Sequence, residues 1–94
     1  MTAAQREPVA TVRCPPSASN RQVVERTEEA VARVAPLPER LREARTIAVK
    51  INAGVPRLVL TEGRQTELTE PAVVEGVIRA LRRHTEAEIL VGDA

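Results

Sequence analysis

Hydrophobic and polar residues follow two different periods along the chain, and these periods predict its secondary structure. Alternation is typical of strands, because successive side chains of a strand point to opposite faces of a sheet. It predicts strands over 9–14, 46–51 and 88–91, and a short strand or hairpin arm over 57–61. Apolar spacing of three and four is typical of helices. It predicts a helix of about fifteen residues after Ser19, a short helix over 38–44, and a last helix that opens at Pro71.

Local signals indicate where these helices begin. Ser19 and Gln22 match the S-x-x-Q pattern of a capping box, in which each side chain bonds to the backbone N–H of the other residue. Pro71 suits the first turn of the last helix, because its missing N–H is not needed there. The N-cap of that helix falls on Thr69 or Glu70, and the sequence does not decide between them. For Thr69 the alternative to a cap is a place at the carboxyl edge of the sheet, and the capping role is favoured.

Small and basic residues distinguish the last predicted helix. Gly76 and Ala80 are expected to let the helix approach a sheet closely. The C-terminal part of the helix is basic, with Arg79, Arg82, Arg83 and His84. Positive charge is favoured there by the helix dipole, and this explanation suffices, although phosphate binding is an alternative.

The order of the elements, β-α-(α)-β-α-β, is typical of an α/β fold. It predicts a mostly parallel small sheet of three to four strands with two to three packed helices. We expect residues 1–8 to be disordered and 9–94 to form a single domain. Because no helix follows the last predicted strand, that domain is interpreted as half of a larger α/β domain.

Composition narrows the classes of function. The 94 residues carry a net charge of +1 and include no Phe, Tyr or Trp. No run of like charges is long enough for a nucleic-acid or membrane arm, and no segment is long and apolar enough to span a membrane. We therefore expect a cytoplasmic protein without nucleic-acid or membrane partners. Its small aliphatic core predicts either a homodimer or a partner segment beyond the C-terminus.

The single cysteine, Cys14, excludes an internal disulfide and an iron–sulfur cluster bound by this chain alone. We interpret it as a buried small apolar residue, with a nucleophilic thiol as the alternative. No spacing of ligand residues indicates a metal site, and no particular cofactor is predicted.

Two residue types occur once each, and both occurrences lie at the end of a predicted strand. Lys50 is the only lysine and Asp93 the only aspartate. Ligands of open parallel sheets bind beyond the carboxyl ends of the strands, so these two residues are predicted to meet at a ligand edge. The predicted ligand-binding residues are Lys50, Asn52, Gly54, Arg57, Gly92 and Asp93.

Several roles for this edge remain open. Lys50 could hold a carboxylate or phosphate of an anionic small molecule or cofactor, or act as a base or Schiff-base amine. Alternatively, Lys50 and Asp93 form only an ion pair at the sheet edge, worth about 0–1 kcal/mol if exposed. Two functions of the whole chain also remain open. The chain is either part of an enzyme or cofactor-binding domain, or a non-enzymatic assembly module that pairs through its open sheet edge.

Three motifs together resemble the bacterial and archaeal domain-of-unknown-function 362 family: TIAVKINAG at 46–54, TEPAVVE at 69–75 and ILVGDA at 89–94. Members of that family typically show a strand with a Lys-Pro-Asn motif, a loop, a helix opened by Thr and Pro, and a strand that ends Val-Gly-Asp-Ser. The matching positions are Lys50, Asn52, Gly92 and Asp93, while Ile51 replaces the proline and Ala94 the serine. The resemblance implies an α/β fold and no particular reaction.

Overall fold

A computed structural model of the chain describes residues 8–34, 36–52, 60–61, 63–65 and 68–93. Its helices are α1 (Asn20–Val34), α2 (Leu37–Arg40) and α3 (Pro71–Arg82). Its strands are β1 (Thr46–Lys50), β2 (Leu60–Thr61), β3 (Arg64–Gln65) and β4 (Glu88–Gly92). Strands β1 and β4 form a parallel two-stranded sheet, and β2 and β3 form an antiparallel hairpin. The described part of the chain is therefore a mixed helix–strand structure, as the sequence broadly predicts.

The predicted capping box opens α1. The Ser19 backbone N–H donates to Oε1 of Gln22 at 2.8 Å, and the Gln22 backbone N–H donates to Oγ of Ser19 at 3.2 Å. Both residues thus satisfy a backbone donor that the helix itself leaves without a partner. The predicted start and the fifteen-residue length of α1 are confirmed.

The inner face of the β1–β4 sheet contacts the helices. Ile47 pairs with Ile89 across the sheet, and both side chains, with Val49, are half-buried. They pack against a buried cluster from α2 and α3 that consists of Leu37, Ala80 and Leu81. All three helices lie on this face, since Val31 of α1 joins the same cluster. The alternation over 46–51 therefore corresponds to alternating burial along β1, with Ile47 and Val49 half-buried and Ala48 and Lys50 exposed.

Helices α1 and α3 pack side by side, and a glycine permits their close approach. A Cβ atom built on Gly76 of α3 would lie 2.5 Å from Cβ of Thr27 and 2.8 Å from the carbonyl oxygen of Val24, both in α1. Gly76 is predicted above to approach a sheet, and that prediction is wrong. The neighbour that requires a glycine is α1.

Two predicted elements differ in the structure, and a third is described only in part. Residues 9–14 form no strand, because no other described strand pairs with them. The short helix covers Leu37–Arg40 rather than 38–44, and the chain turns at 41–43. The predicted hairpin arm over 57–61 is confirmed at Leu60–Thr61, the part that the structure describes. This part pairs with β3 next to a turn at Gly63, whose φ of 79° favours glycine.

Some expectations fall on residues outside the described ranges. The predicted disorder concerns residues 1–8, of which only Pro8 is described. Of the predicted site, Gly54 and Arg57 also lie outside the described residues. Among the residues that are described, no helix has the length and apolar character needed to cross a membrane.

Candidate functional site

The carboxyl ends of β1 and β4 lie side by side at one edge of the sheet. Lys50, the last residue of β1, is in register with Gly92, the last residue of β4. The Ile51 backbone N–H donates to the Gly92 carbonyl oxygen at 2.9 Å, so the pairing continues one residue beyond β1. Asp93 follows directly. The parallel register therefore brings the single lysine and the single aspartate to the same edge.

Lys50 and Asp93 line one shallow depression of about 320 Å³. The other lining residues come from the same two strands: Ala48, Val49, Leu90, Val91 and Gly92. Both charged residues are exposed, and Gly92 leaves open space, because nothing lies within 4 Å of a Cβ built there. The depression thus combines a cation, a carboxylate and an apolar floor at the edge where parallel sheets bind ligands.

Asn52 is held at this edge by Thr69, the second residue before α3. Its backbone N–H donates to Oγ1 of Thr69 at 2.9 Å, and its carbonyl oxygen accepts from the Thr69 backbone N–H at 2.9 Å. This pair of hydrogen bonds joins the end of β1 to the start of α3. The backbone of Asn52 therefore lies just beyond the end of β1, beside the start of α3.

The favoured capping role of Thr69 is wrong. The N-cap of α3 is Glu70, whose side chain makes no capping hydrogen bond. The Thr69 hydroxyl accepts from Asn52 instead, seventeen residues away in the sequence. The sequence does not reveal this contact, because Thr before Glu-Pro also fits a cap and only the fold brings Asn52 close to Thr69.

The basic C-terminal part of α3 contacts groups of the chain itself. Nε of Arg79 lies 2.8 Å from a carboxylate oxygen of Glu75, and Nε of Arg83 lies 3.0 Å from one of Glu28 in α1. Arg82 donates to the carbonyl oxygen of Ala87, which follows α3. These contacts, together with the helix dipole, account for the cluster without a phosphate.

Two further chemical features complete the description of the site. Cys14 is exposed rather than buried, in contrast to its interpretation as an apolar core residue. Within the described ranges, no group of three or more His, Cys, Asp or Glu residues is placed to hold a metal ion.

Comparison of the chain with protein-family models, with curated proteins and with solved structures found no match. The site is therefore defined by the geometry of this chain. Its central feature is the depression that Lys50 and Asp93 both line, at the carboxyl ends of two parallel strands.

Proposed function

We propose that this chain is an α/β domain that binds an anionic small molecule or cofactor at the carboxyl edge of its sheet, as part of a larger enzyme. The observation that carries the proposal is the common depression of Lys50 and Asp93, at the ends of neighbouring parallel strands. The only lysine and the only aspartate of the chain line it together.

Each part of the edge has a role in this proposal. The Lys50 ammonium carries three donors on a flexible stem and attracts a carboxylate or phosphate as a point charge. Gly92 leaves room for the ligand beside β4. Asp93 orients the ammonium group or accepts a hydrogen bond from a ligand hydroxyl. The Thr69 hydrogen bonds hold the backbone of Asn52 at the edge, which keeps its side chain near the ligand.

The resemblance to the domain-of-unknown-function 362 family supports the assignment of the same residues to the ligand site. Its Lys-x-Asn and Gly-Asp motifs fall on Lys50, Asn52, Gly92 and Asp93. We extend the proposal to Gly54 and Arg57, which follow Asn52 in the sequence, with Arg57 as a second cation for the anion. The reaction of the larger enzyme is not part of the proposal.

Substitution of Lys50 by methionine tests the proposal. Arg45→Met is the matched control, because Arg45 precedes β1 at the opposite edge of the same sheet and is also exposed. Binding of inorganic phosphate, pyrophosphate and a dicarboxylate is measured by calorimetry. Lys50→Met should weaken binding by roughly tenfold or more, since a hydrogen bond to a charged group contributes about 1.5–3 kcal/mol. Equal effects of both variants, with unchanged helix content, would refute the proposed site.

The proposal also includes a fuller sheet, of three to four strands in the order β-α-(α)-β-α-β. Parallel sheets occur almost only with both faces covered. The outer face of the β1–β4 pair carries Ala48 and Leu90, both exposed, and Leu90 retains 54% of its accessible surface. Further polypeptide over this face would complete the layered architecture.

The same exposed face favours a second candidate function, that of an assembly module. Leu90 on this face is among the large apolar residues that the structure leaves exposed, at 54%. In this alternative a second copy covers it, so sedimentation equilibrium should detect a dimer that Leu90→Ser dissociates. A protein that remains monomeric at millimolar concentration would exclude this candidate and leave the anion site untouched.

A further inference from the structure

We propose that the ligand of the carboxyl edge carries an amine as well as its anionic group, so that Lys50 binds the carboxylate or phosphate and Asp93 binds the ammonium group. This inference rests on the proposed function and deepens it, since it names the chemical class of the ligand. The class is that of small amino acids and phosphorylated amines, in which a short alkyl chain separates two opposite charges.

The strand register leaves open space beside Lys50. Residues in register on neighbouring strands point to the same face of a sheet, and the partner of Lys50 is Gly92. Gly92 has no side chain, and nothing lies within 4 Å of a Cβ atom built on it. Asp93 comes one position later in the sequence. The position directly beside Lys50 is therefore occupied by a glycine and not by a carboxylate.

The register also explains why the two charges do not neutralise each other. Among the residues that the structure describes, no ion pair includes Lys50. Exposed cations of the helices do form such pairs, as Arg79 does with Glu75. Lys50 and Asp93 nevertheless line the same depression. The depression therefore offers a cation and a carboxylate to one ligand at the same time.

The carboxylate decides what kind of ligand the depression favours. Asp93 is exposed and lines the depression together with Lys50, so a ligand with anionic groups only would be repelled by it. An ammonium group on the ligand turns the same carboxylate into a partner, because it offers three hydrogen-bond donors. One ligand that carries both groups therefore uses both charged residues.

The remaining lining limits the size and character of the ligand. Ala48 and Val49 of β1, with Leu90 and Val91 of β4, are the apolar part of the lining. An alkyl chain covers such side chains favourably, whereas a charged group would lose hydration there. The volume of about 320 Å³ lies at the lower end of the range for ligand pockets, about 300–1,000 Å³. These features fit a ligand of the size of an amino acid.

Two pairs of ligands test the inference, because the members of each pair share the anion and differ in the amine. They are phosphoethanolamine with ethyl phosphate, and 4-aminobutyrate with butyrate. Dissociation constants are measured from amide chemical shifts of the full chain at low salt, with EDTA present so that no metal ion bridges ligand and protein. We expect roughly two- to fivefold tighter binding of the amino compound in at least one pair, since exposed ion pairs contribute modestly. The pair that shows the preference distinguishes a phosphate from a carboxylate ligand.

Asp93→Asn removes the charge and keeps the shape of the side chain. In this variant the preference should disappear, because the ammonium group loses its partner. Ethyl phosphate should bind no more weakly than before, because a repelling charge is gone. Glu88→Gln is the matched control, since Glu88 is an exposed carboxylate at the start of the same strand, and it should retain the preference.

The outcomes separate this inference from the proposed anion site. Equal binding within each pair, weakened throughout by Lys50→Met, would overturn the inference and leave the anion site in place. A preference that survives in Asp93→Asn, or that Glu88→Gln also removes, would overturn the role of Asp93. If inorganic phosphate binds at Lys50 and none of the four ligands does, only the inference fails. If inorganic phosphate does not bind either, both fail.

Discussion

Gly76 of α3 and Thr27 of α1 lie so close that a Cβ on Gly76 would be 2.5 Å from the Cβ of Thr27. The Thr27 hydroxyl donates to the Val23 carbonyl oxygen at 2.8 Å, which holds the side chain against its own helix. The Val24 carbonyl oxygen, at 2.8 Å from the same Cβ position, belongs to the backbone. Neither neighbour can move without a shift of the helix, so the contact sets the spacing of α1 and α3.

Gly76→Ala is therefore expected to destabilise the protein. Overpacking costs about 1–3 kcal/mol, and the better helix propensity of alanine offsets up to about 1 kcal/mol of that. We predict a decrease of about 1–2 kcal/mol in the free energy of unfolding, measured by urea denaturation. Gly92→Ala is the matched control, since nothing lies within 4 Å of its Cβ position. If Gly76→Ala were as stable as that control, the close contact with Thr27 would be wrong.

The capping box of α1 gives a second prediction. Ser19→Ala removes the oxygen that accepts from the Gln22 N–H, and loss of such a cap costs about 1 kcal/mol. Because Gln22 bonds back to the Ser19 N–H, the effects of Ser19→Ala and Gln22→Ala should be less than additive in the double variant. Strict additivity in urea denaturation would show that the two hydrogen bonds form independently.

Some features of the fold and of the candidate site can be predicted from the sequence and others cannot, for physical reasons. The start of α1 is encoded within four residues, by Ser19 and Gln22, so a local pattern suffices. The alternation of β1 identifies its covered face because large apolar side chains favour the covered face and polar side chains favour solvent. Whether residues 9–14 pair with a strand, which residue contacts Thr69 and which residue lies against Gly76 all depend on contacts distant in sequence. No local pattern encodes those contacts.

The third prediction concerns the link between the end of β1 and the start of α3. Thr69→Val removes the oxygen that accepts from the Asn52 N–H and keeps the shape of the side chain. A hydrogen bond of this kind contributes about 0.5–1.5 kcal/mol. We expect faster hydrogen exchange of the Asn52 backbone N–H, and a decrease within this range in the free energy of unfolding. Thr69→Ser keeps the hydroxyl and should retain the slow exchange; if both variants exchange alike, the hydroxyl is not the acceptor.

A fourth prediction concerns the ion pair between the two long helices. Arg83 and Glu28 lie 3.0 Å apart, with 70% and 16% of their side chains exposed. A double-mutant cycle with Arg83→Ala and Glu28→Ala should give a coupling energy of about 0.2–1 kcal/mol, which decreases in high salt. A coupling that persists unchanged in 1 M salt would contradict a solvent-screened pair.

The most direct test of the carboxyl-edge site is a titration of the isotope-labelled protein with inorganic phosphate, followed by amide chemical shifts. We predict saturable shift changes that centre on Lys50, Asn52, Gly92 and Asp93, and that disappear in Lys50→Met. Changes centred on Arg79, Arg82 and Arg83 instead, or changes that survive in Lys50→Met, would contradict the account.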